Sequence, residues 1–206
     1  MSSNKTVIVT LTRTGSTFLN LKLAKENKLY SFGEILNHNT NVFDKRFETN
    51  FNVDISNLNT KLKNNYIFNS WYKLSNSICR LIPDQTKDEL LVEKYLQCAD
   101  NIIYHYRKNI TSQIYSTIIA NKTKQYSSDR EPYNKEISLL EFTEMSKRIQ
   151  NRYLNIIDLC KKYPGKISCL ENYDQNPFTK SYLFEKKFKY NLINIDSKFK
   201  KIQEHT

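Results

Sequence analysis

The chain has 206 residues, of which 39% are apolar and 26% are charged, and its formal net charge is +11. This length suffices for one α/β domain with a buried core, and we expect a single domain over residues 1–206. No apolar run is as long as a membrane span and no signal-peptide pattern opens the chain, so we expect a cytoplasmic protein without a membrane partner. The positive charge favours an anionic partner but does not distinguish nucleic acid, an acidic glycan and a nucleotide cofactor.

Strand and helix patterns alternate along the chain. Short apolar or β-branched runs predict buried strands at residues 6–11, 77–82, 101–106 and 166–170. Helical patterns cover residues 17–26 and 110–119, and a long one with a 3.6-residue period starts at Ser138 and stops at Pro164. Residues 37–76 and 121–136 are less regular and are interpreted as loops. This alternation predicts an α/β fold with a mostly parallel central sheet flanked by helices, and ligands at the carboxyl ends of the strands.

The segment after the first strand has the residues of an anion site. An apolar strand leads into Arg13-Thr-Gly-Ser-Thr-Phe-Leu19, which predicts a glycine-containing turn followed by a helix. Such a turn directs backbone N–H groups and a helix N-terminus at one point, and Arg13 adds a permanent positive charge. The Walker loop of nucleoside triphosphatases needs a second glycine and a lysine that this segment lacks, so a Walker-type ATPase or kinase is disfavoured.

The same segment resembles the 5′-phosphosulfate loop of the PAPS-dependent sulfotransferases. That loop has a basic residue, then x-Gly-Ser/Thr-Thr-aromatic-Leu after the first strand, and every position matches from Arg13 to Leu19. The resemblance implies a P-loop-NTPase-like three-layer fold, PAPS as the sulfate donor and PAP as the product. It implies a catalytic role for Arg13, and cofactor contacts from Arg13, Thr14, Gly15, Ser16, Thr17 and Phe18.

A second segment resembles the element that binds the 3′-phosphate in this family. There a strand ends in a basic residue, and a serine follows eight positions later on a helix. In this chain a strand ends at Arg107-Lys108, and the eight-residue spacing to Ser116 is counted from Lys108. We therefore expect Ser116, together with Arg107 or Lys108, to bind the 3′-phosphate.

The resemblance also suggests a general base. Some branches of the family, among them carbohydrate and tyrosyl-protein enzymes, use a glutamate in a Gly-Glu segment soon after the first helix. Gly33-Glu34 occupies that position here, which makes Glu34 the candidate base. His38 and His105 are rivals, although His105 lies within an apolar strand and is interpreted as a packed side chain.

The resulting hypothesis is a sulfotransferase that transfers the sulfuryl group from PAPS to a hydroxyl of a glycan or other small molecule. Two alternatives stay open: a catalytically inactive nucleotide- or nucleic-acid-binding protein on the same fold, and a small-molecule kinase with a degenerate P-loop. The four cysteines include no C-x-x-C pair, so no metal is expected. We do not expect a nucleic-acid partner, and the sequence does not define the acceptor or the oligomeric state.

Overall fold

The computed structural model describes residues 3–37, 55, 57–124, 136–172 and 179–180. The strands are β1 (Asn4–Thr10), β2 (Tyr30–Glu34), β3 (Asn76–Leu81), β4 (Asn101–Tyr106), β5 (Lys166–Cys169) and β6 (Thr179–Lys180). The helices are α1 (Ser16–Glu26), α2 (Thr60–Lys73), α3 (Glu89–Gln97), α4 (Ile110–Thr123) and α5 (Leu139–Lys162). Two short 3₁₀ turns cover Pro83–Gln85 and Leu170–Asn172.

The strands form one sheet in the order β2-β3-β1-β4-β5-β6. Strands β1 to β5 are all parallel, and β6 pairs antiparallel with β5. The predicted α/β class, with a mostly parallel sheet flanked by helices, is confirmed. The likeness to P-loop NTPases stays a prediction, and so does the single domain.

The chain divides into two compact units. The first comprises residues 1–10 and 16–103, and the second comprises residues 11–15 and 104–206. Strand β4 begins in the first unit and ends in the second.

The core of the first unit contains β1, β3 and a group of aromatic side chains. Every residue from Thr6 to Thr10 is buried, as the interior strand of a parallel sheet requires. Trp71 of α2 and Tyr95 of α3 are both buried, and their ring centroids lie 5.0 Å apart. Because aromatic pairs at this separation bury large apolar areas, this pair stabilises the packing of the two helices.

The core of the second unit lies between α4 and α5. Helix α5 begins with a complete capping box, in which Ser138 and Glu141 each bond the other's backbone N–H. It buries an apolar stripe with spacings of three and four residues, at Met145, Ile149, Tyr153, Ile156 and Cys160. Helix α4 begins at Asn109, whose side chain accepts from the Ser112 amide.

Two elements differ from the sequence-based expectation. Strand β2 was not among the predicted strands, and α2 occupies part of the stretch at residues 37–76 that had looked irregular. Helix α3 begins with Asp88 as its N-cap, whose side chain accepts from the Leu91 amide.

Candidate functional site

The chain turns sharply between β1 and α1. Arg13 has a φ of 63° and Gly15 has a φ of 80°, both in the left-handed region. Helix α1 begins at Ser16, and its first turn contains no acidic residue. The first amides of a helix have no carbonyl partner within it and carry the positive end of the helix dipole, so they attract anions. The predicted phosphosulfate loop thus has a backbone that suits an anion.

Gly15 is required by both its backbone angle and its packing. A Cβ atom built on it would lie 2.7 Å from Cδ1 of Leu170 and 3.0 Å from Cδ2. Any side chain here would meet this overlap in addition to the strain of a positive φ. The backbone of the loop therefore approaches Leu170 more closely than any other residue type allows.

Two buried side chains hold the backbone of residues 11–15. Nε2 of Gln113, on α4, donates to the Thr12 carbonyl at 2.9 Å. Nε2 of His105, on β4, lies 3.0 Å from the Thr14 carbonyl, and the Thr14 hydroxyl donates to the Leu11 carbonyl at 3.0 Å. The loop conformation is thus fixed by hydrogen bonds from β4, from α4 and within the loop itself.

His105 is a structural residue in this arrangement. Its side chain is buried, and its Nδ1 lies 3.2 Å from the Ser168 hydroxyl. Since a carbonyl only accepts, Nε2 carries the proton and Nδ1 accepts from Ser168. Burial lowers the pKa of His105 to about 4, against the raising effects of the Thr14 contact and of Glu171. The imidazole is therefore neutral at pH 7, consistent with the interpretation of a packed histidine.

Arg13 and Ser116 are brought together. Nε of Arg13 donates to Oγ of Ser116 at 2.9 Å, although the two residues are 103 positions apart in the chain. Ser116 lies in the middle of α4 and is mostly buried. The first residue of the predicted phosphosulfate loop thus meets the serine predicted for the 3′-phosphate.

The strand end at Arg107 is organised by Glu171. The Glu171 carboxylate accepts from the backbone amides of Lys108 at 2.7 Å and Asn109 at 2.9 Å, and Arg107 Nε lies 3.7 Å from it. Partial burial would raise the pKa of Glu171, but the backbone amides outweigh it and the pKa is lowered. The Lys108 side chain is exposed, and within the described part of the chain its ammonium has no bonding partner.

Glu34 belongs to a cluster in the first unit, centred on Arg80. The two residues are in register on the parallel strands β2 and β3, and Arg80 Nη1 lies 3.1 Å from Glu34 Oε1. The same Nη1 donates to the Thr17 hydroxyl at 2.6 Å. Arg80 therefore links the candidate base to a predicted cofactor-binding residue.

Two amides complete the contacts of Glu34. Its Oε2 accepts from Asn37 Nδ2 at 3.0 Å and from Gln85 Nε2 at 3.2 Å. With the ion pair to Oε1, three donors fix the orientation of the carboxylate. The Arg80 side chain is 11% exposed and that of Glu34 is 26% exposed, so the pair is partly shielded from solvent.

Other predicted residues are placed as follows. Ser16 is buried, whereas Thr17 and Phe18 are exposed, and Lys22 Nζ lies 5.8 Å from the centroid of the Phe18 ring. His38 lies outside the described residues. Within the described part of the chain, the side chains of Thr17 and Phe18 therefore face solvent, whereas that of Ser16 does not.

Three residues with contacts to the site were not predicted as site residues: Arg80, Gln113 and Glu171. The sequence contained an indication that Arg80 is functional, because it is the one charged residue in the apolar run of β3 and lies close to Pro83. Nothing in the sequence indicated a site role for Gln113, because a glutamine side chain on a helix is usually solvated. Glu171 is 63 to 64 positions from the residues of the Arg107 strand end that it contacts, and no local pattern reports a contact at that separation.

Among the side chains that the structure describes, no group of three or more His, Cys, Asp or Glu residues is arranged to hold a metal ion. No described helix combines the length and the apolar character needed to cross a membrane.

Comparison with known proteins adds no relative. A scan of the chain against protein-family models finds no match, and a search of curated proteins finds none either. The family resemblance therefore rests on the residues of this chain alone.

Proposed function

We propose that this chain is a sulfotransferase that moves the sulfuryl group of PAPS to a hydroxyl of a carbohydrate or another small molecule. The observation that carries the proposal is the hydrogen bond of 2.9 Å between Arg13 and Ser116. These residues belong to the two segments that resemble the cofactor-binding elements of the family. PAPS carries its phosphosulfate and its 3′-phosphate on one ribose, so a protein that binds both needs its two anion-binding elements close together.

In the proposed site the Arg13 side chain and the backbone of residues 13–15 bind the phosphosulfate, and Ser116 binds the 3′-phosphate. Lys108 suits the 3′-phosphate better than Arg107 does, because Arg107 already lies 3.7 Å from the Glu171 carboxylate. Among the residues that the structure describes, none bonds the exposed Lys108 ammonium, so it can bind an external anion without losing a contact to any of them. The spacing of Lys108 from Ser116 agrees with this assignment.

The proposed reaction is an in-line transfer. The acceptor oxygen attacks sulfur, the bond between sulfur and the 5′-phosphate oxygen breaks, and PAP leaves with the electron pair. The acceptor proton passes to Glu34, which acts as the general base. Catalysis by positioning and charge stabilisation is what such a transfer demands, and the three donors around Glu34 supply the positioning.

Calorimetric titration with PAP, ATP and AMP tests the proposal. Wild type should bind PAP in the micromolar range and ATP much more weakly. Arg13→Ala should weaken PAP binding at least about tenfold, as the loss of a charge-assisted hydrogen bond implies. Arg148→Ala is the matched control, because it removes the same charge from an exposed position on α5 and should leave the affinity unchanged.

Other outcomes would identify a different function. ATP binding tighter than PAP binding would favour the kinase. Binding of nucleic acid without PAP, with an affinity that falls steeply as salt is added, would favour the binding protein. Either result would overturn the sulfotransferase proposal.

A further inference from the structure

A chain of three hydrogen bonds runs through the second unit, the central one buried and the outer two partly buried. Gln113 Nε2 donates to the Thr12 carbonyl at 2.9 Å, and Gln113 Oε1 accepts from the Tyr153 hydroxyl at 2.7 Å. The Tyr153 oxygen in turn accepts from the Arg107 amide at 3.4 Å. The relay, meaning Gln113 and Tyr153 together, thus connects the loop at Thr12 to the strand end at Arg107.

The direction of each bond in the relay is determined by its chemistry. Only the amide nitrogen of Gln113 can donate to a carbonyl, so its oxygen must face Tyr153. The tyrosine hydroxyl gives its one proton to that oxygen and uses a lone pair for the Arg107 amide. A turned Gln113 amide would place its oxygen against the Thr12 carbonyl oxygen, and a turned Tyr153 hydroxyl would place its proton against the Arg107 N–H.

Burial raises the free-energy cost of breaking these hydrogen bonds. Gln113 and Tyr153 are both 0% exposed, so water cannot replace a lost partner. An unsatisfied polar group in such surroundings costs more than the bond itself contributes. A displacement at either end of the relay is therefore opposed at the other end.

We infer that Gln113 and Tyr153 are positioning residues that couple the loop at residues 12–14 to the strand end at residues 107–109. An anion that orders one element favours the ordered state of the other, so the two phosphates of one ligand bind cooperatively. The consequence for the ligand rests on the proposed function, whereas the coupling of the two segments does not.

Three variants separate positioning from simple stability. Tyr153→Phe removes only the hydroxyl, and Gln113→Met removes both polar ends while keeping the length of the side chain. Tyr104→Phe is the matched control, because it removes a tyrosine hydroxyl bonded to the carbonyls of Leu159 and Tyr163 at 3.1 and 2.6 Å. It lies in the same unit.

Hydrogen–deuterium exchange on the full chain without ligand is the first measurement. Tyr153→Phe should speed exchange of the amides at residues 12–14 about tenfold, and Gln113→Met should do the same at residues 107–109. Tyr104→Phe should do neither. Faster exchange confined to each variant's own neighbours, or a general rise equal to that in Tyr104→Phe, overturns the inference.

Ligand affinities supply the second measurement. Wild type should prefer PAP to AMP, and both relay variants should reduce that preference about fivefold or more, while Tyr104→Phe preserves it. An unchanged preference in the relay variants overturns the cooperative binding. If wild type binds no PAP, the proposed function fails, and the exchange measurement still decides whether the two segments are coupled.

Discussion

Replacing Gly15 with alanine is the sharpest test of the loop geometry. The new Cβ would lie 2.7 Å from Leu170 Cδ1, where ordinary contacts begin at 3.4 Å. It would also have to occupy a φ of 80°, which L-residues rarely adopt. Gly15→Ala therefore introduces two separate penalties at one atom.

The size of the loss follows from these two penalties. The left-handed conformation costs alanine about 1–2 kcal/mol, and the overlap adds about 1 kcal/mol, because the end of the half-buried Leu170 side chain can turn aside. The smaller entropy of the unfolded alanine chain returns about 0.4–1 kcal/mol. The net loss in free energy of unfolding is then about 2 kcal/mol, and for a chain of this size Tm falls by about 4–8 °C.

Denaturant and thermal unfolding, followed by circular dichroism, measure this loss. Leu170→Ala, alone and combined with Gly15→Ala, forms a double-mutant cycle. On the Leu170→Ala background the glycine substitution should cost only the backbone penalty less the same entropy return, about 1 kcal/mol. A loss below about 0.5 kcal/mol for Gly15→Ala in wild type, or equal losses on both backgrounds, would refute the reasoning.

Two further predictions concern single titratable groups. The pKa of His105 is about 4 in the folded chain and about 6.5 in the unfolded chain. The stabilisation that the neutral imidazole gives the folded chain is therefore complete above pH 6.5 and is lost as pH falls towards 4. The loss in free energy of unfolding reaches about 3 kcal/mol. Urea unfolding of wild type should therefore depend on pH in this window, and His105→Gln should make that dependence weaker. Identical pH profiles for the two proteins would contradict the prediction. Glu34→Gln should lower kcat about 10²–10⁴-fold and leave the PAP affinity within about threefold of wild type. The kcat is measured as PAP release from PAPS with the best acceptor of a panel of sugars. An unchanged kcat would exclude Glu34 as the base.

The fold was predictable wherever one apolar pattern dominated. Strands β1, β3, β4 and β5 are short apolar runs, and α5 combines a capping box with a regular stripe. Strand β2 was missed because Ser31 and Gly33 interrupt it and the register shifts between them. Helix α2 was missed because asparagines and lysines surround its few apolar residues, and Lys63 and Asn64 are themselves buried.

The site was predictable only where a motif is contiguous. Residues 13–15 could be recognised as a turn that leads into a helix, and the resemblance selected Ser116. The pairing of Glu34 with Arg80 could not be predicted, because the two residues are 46 positions apart and a charged residue in an apolar run does not reveal its partner. Hydrogen bonds such as that from Gln113 to Thr12 depend on the tertiary fold, which brings together residues 101 positions apart.

The buried imidazole of His105 offers a spectroscopic handle on the loop. Its Nε2 proton points at the Thr14 carbonyl and is shielded from water, because the His105 side chain is only 2% exposed. Such a proton exchanges slowly and gives a resolved signal in the proton NMR spectrum, far downfield of the backbone amides. The chain has three histidines, so a ¹⁵N-labelled sample would report any movement of the loop through one assignable resonance.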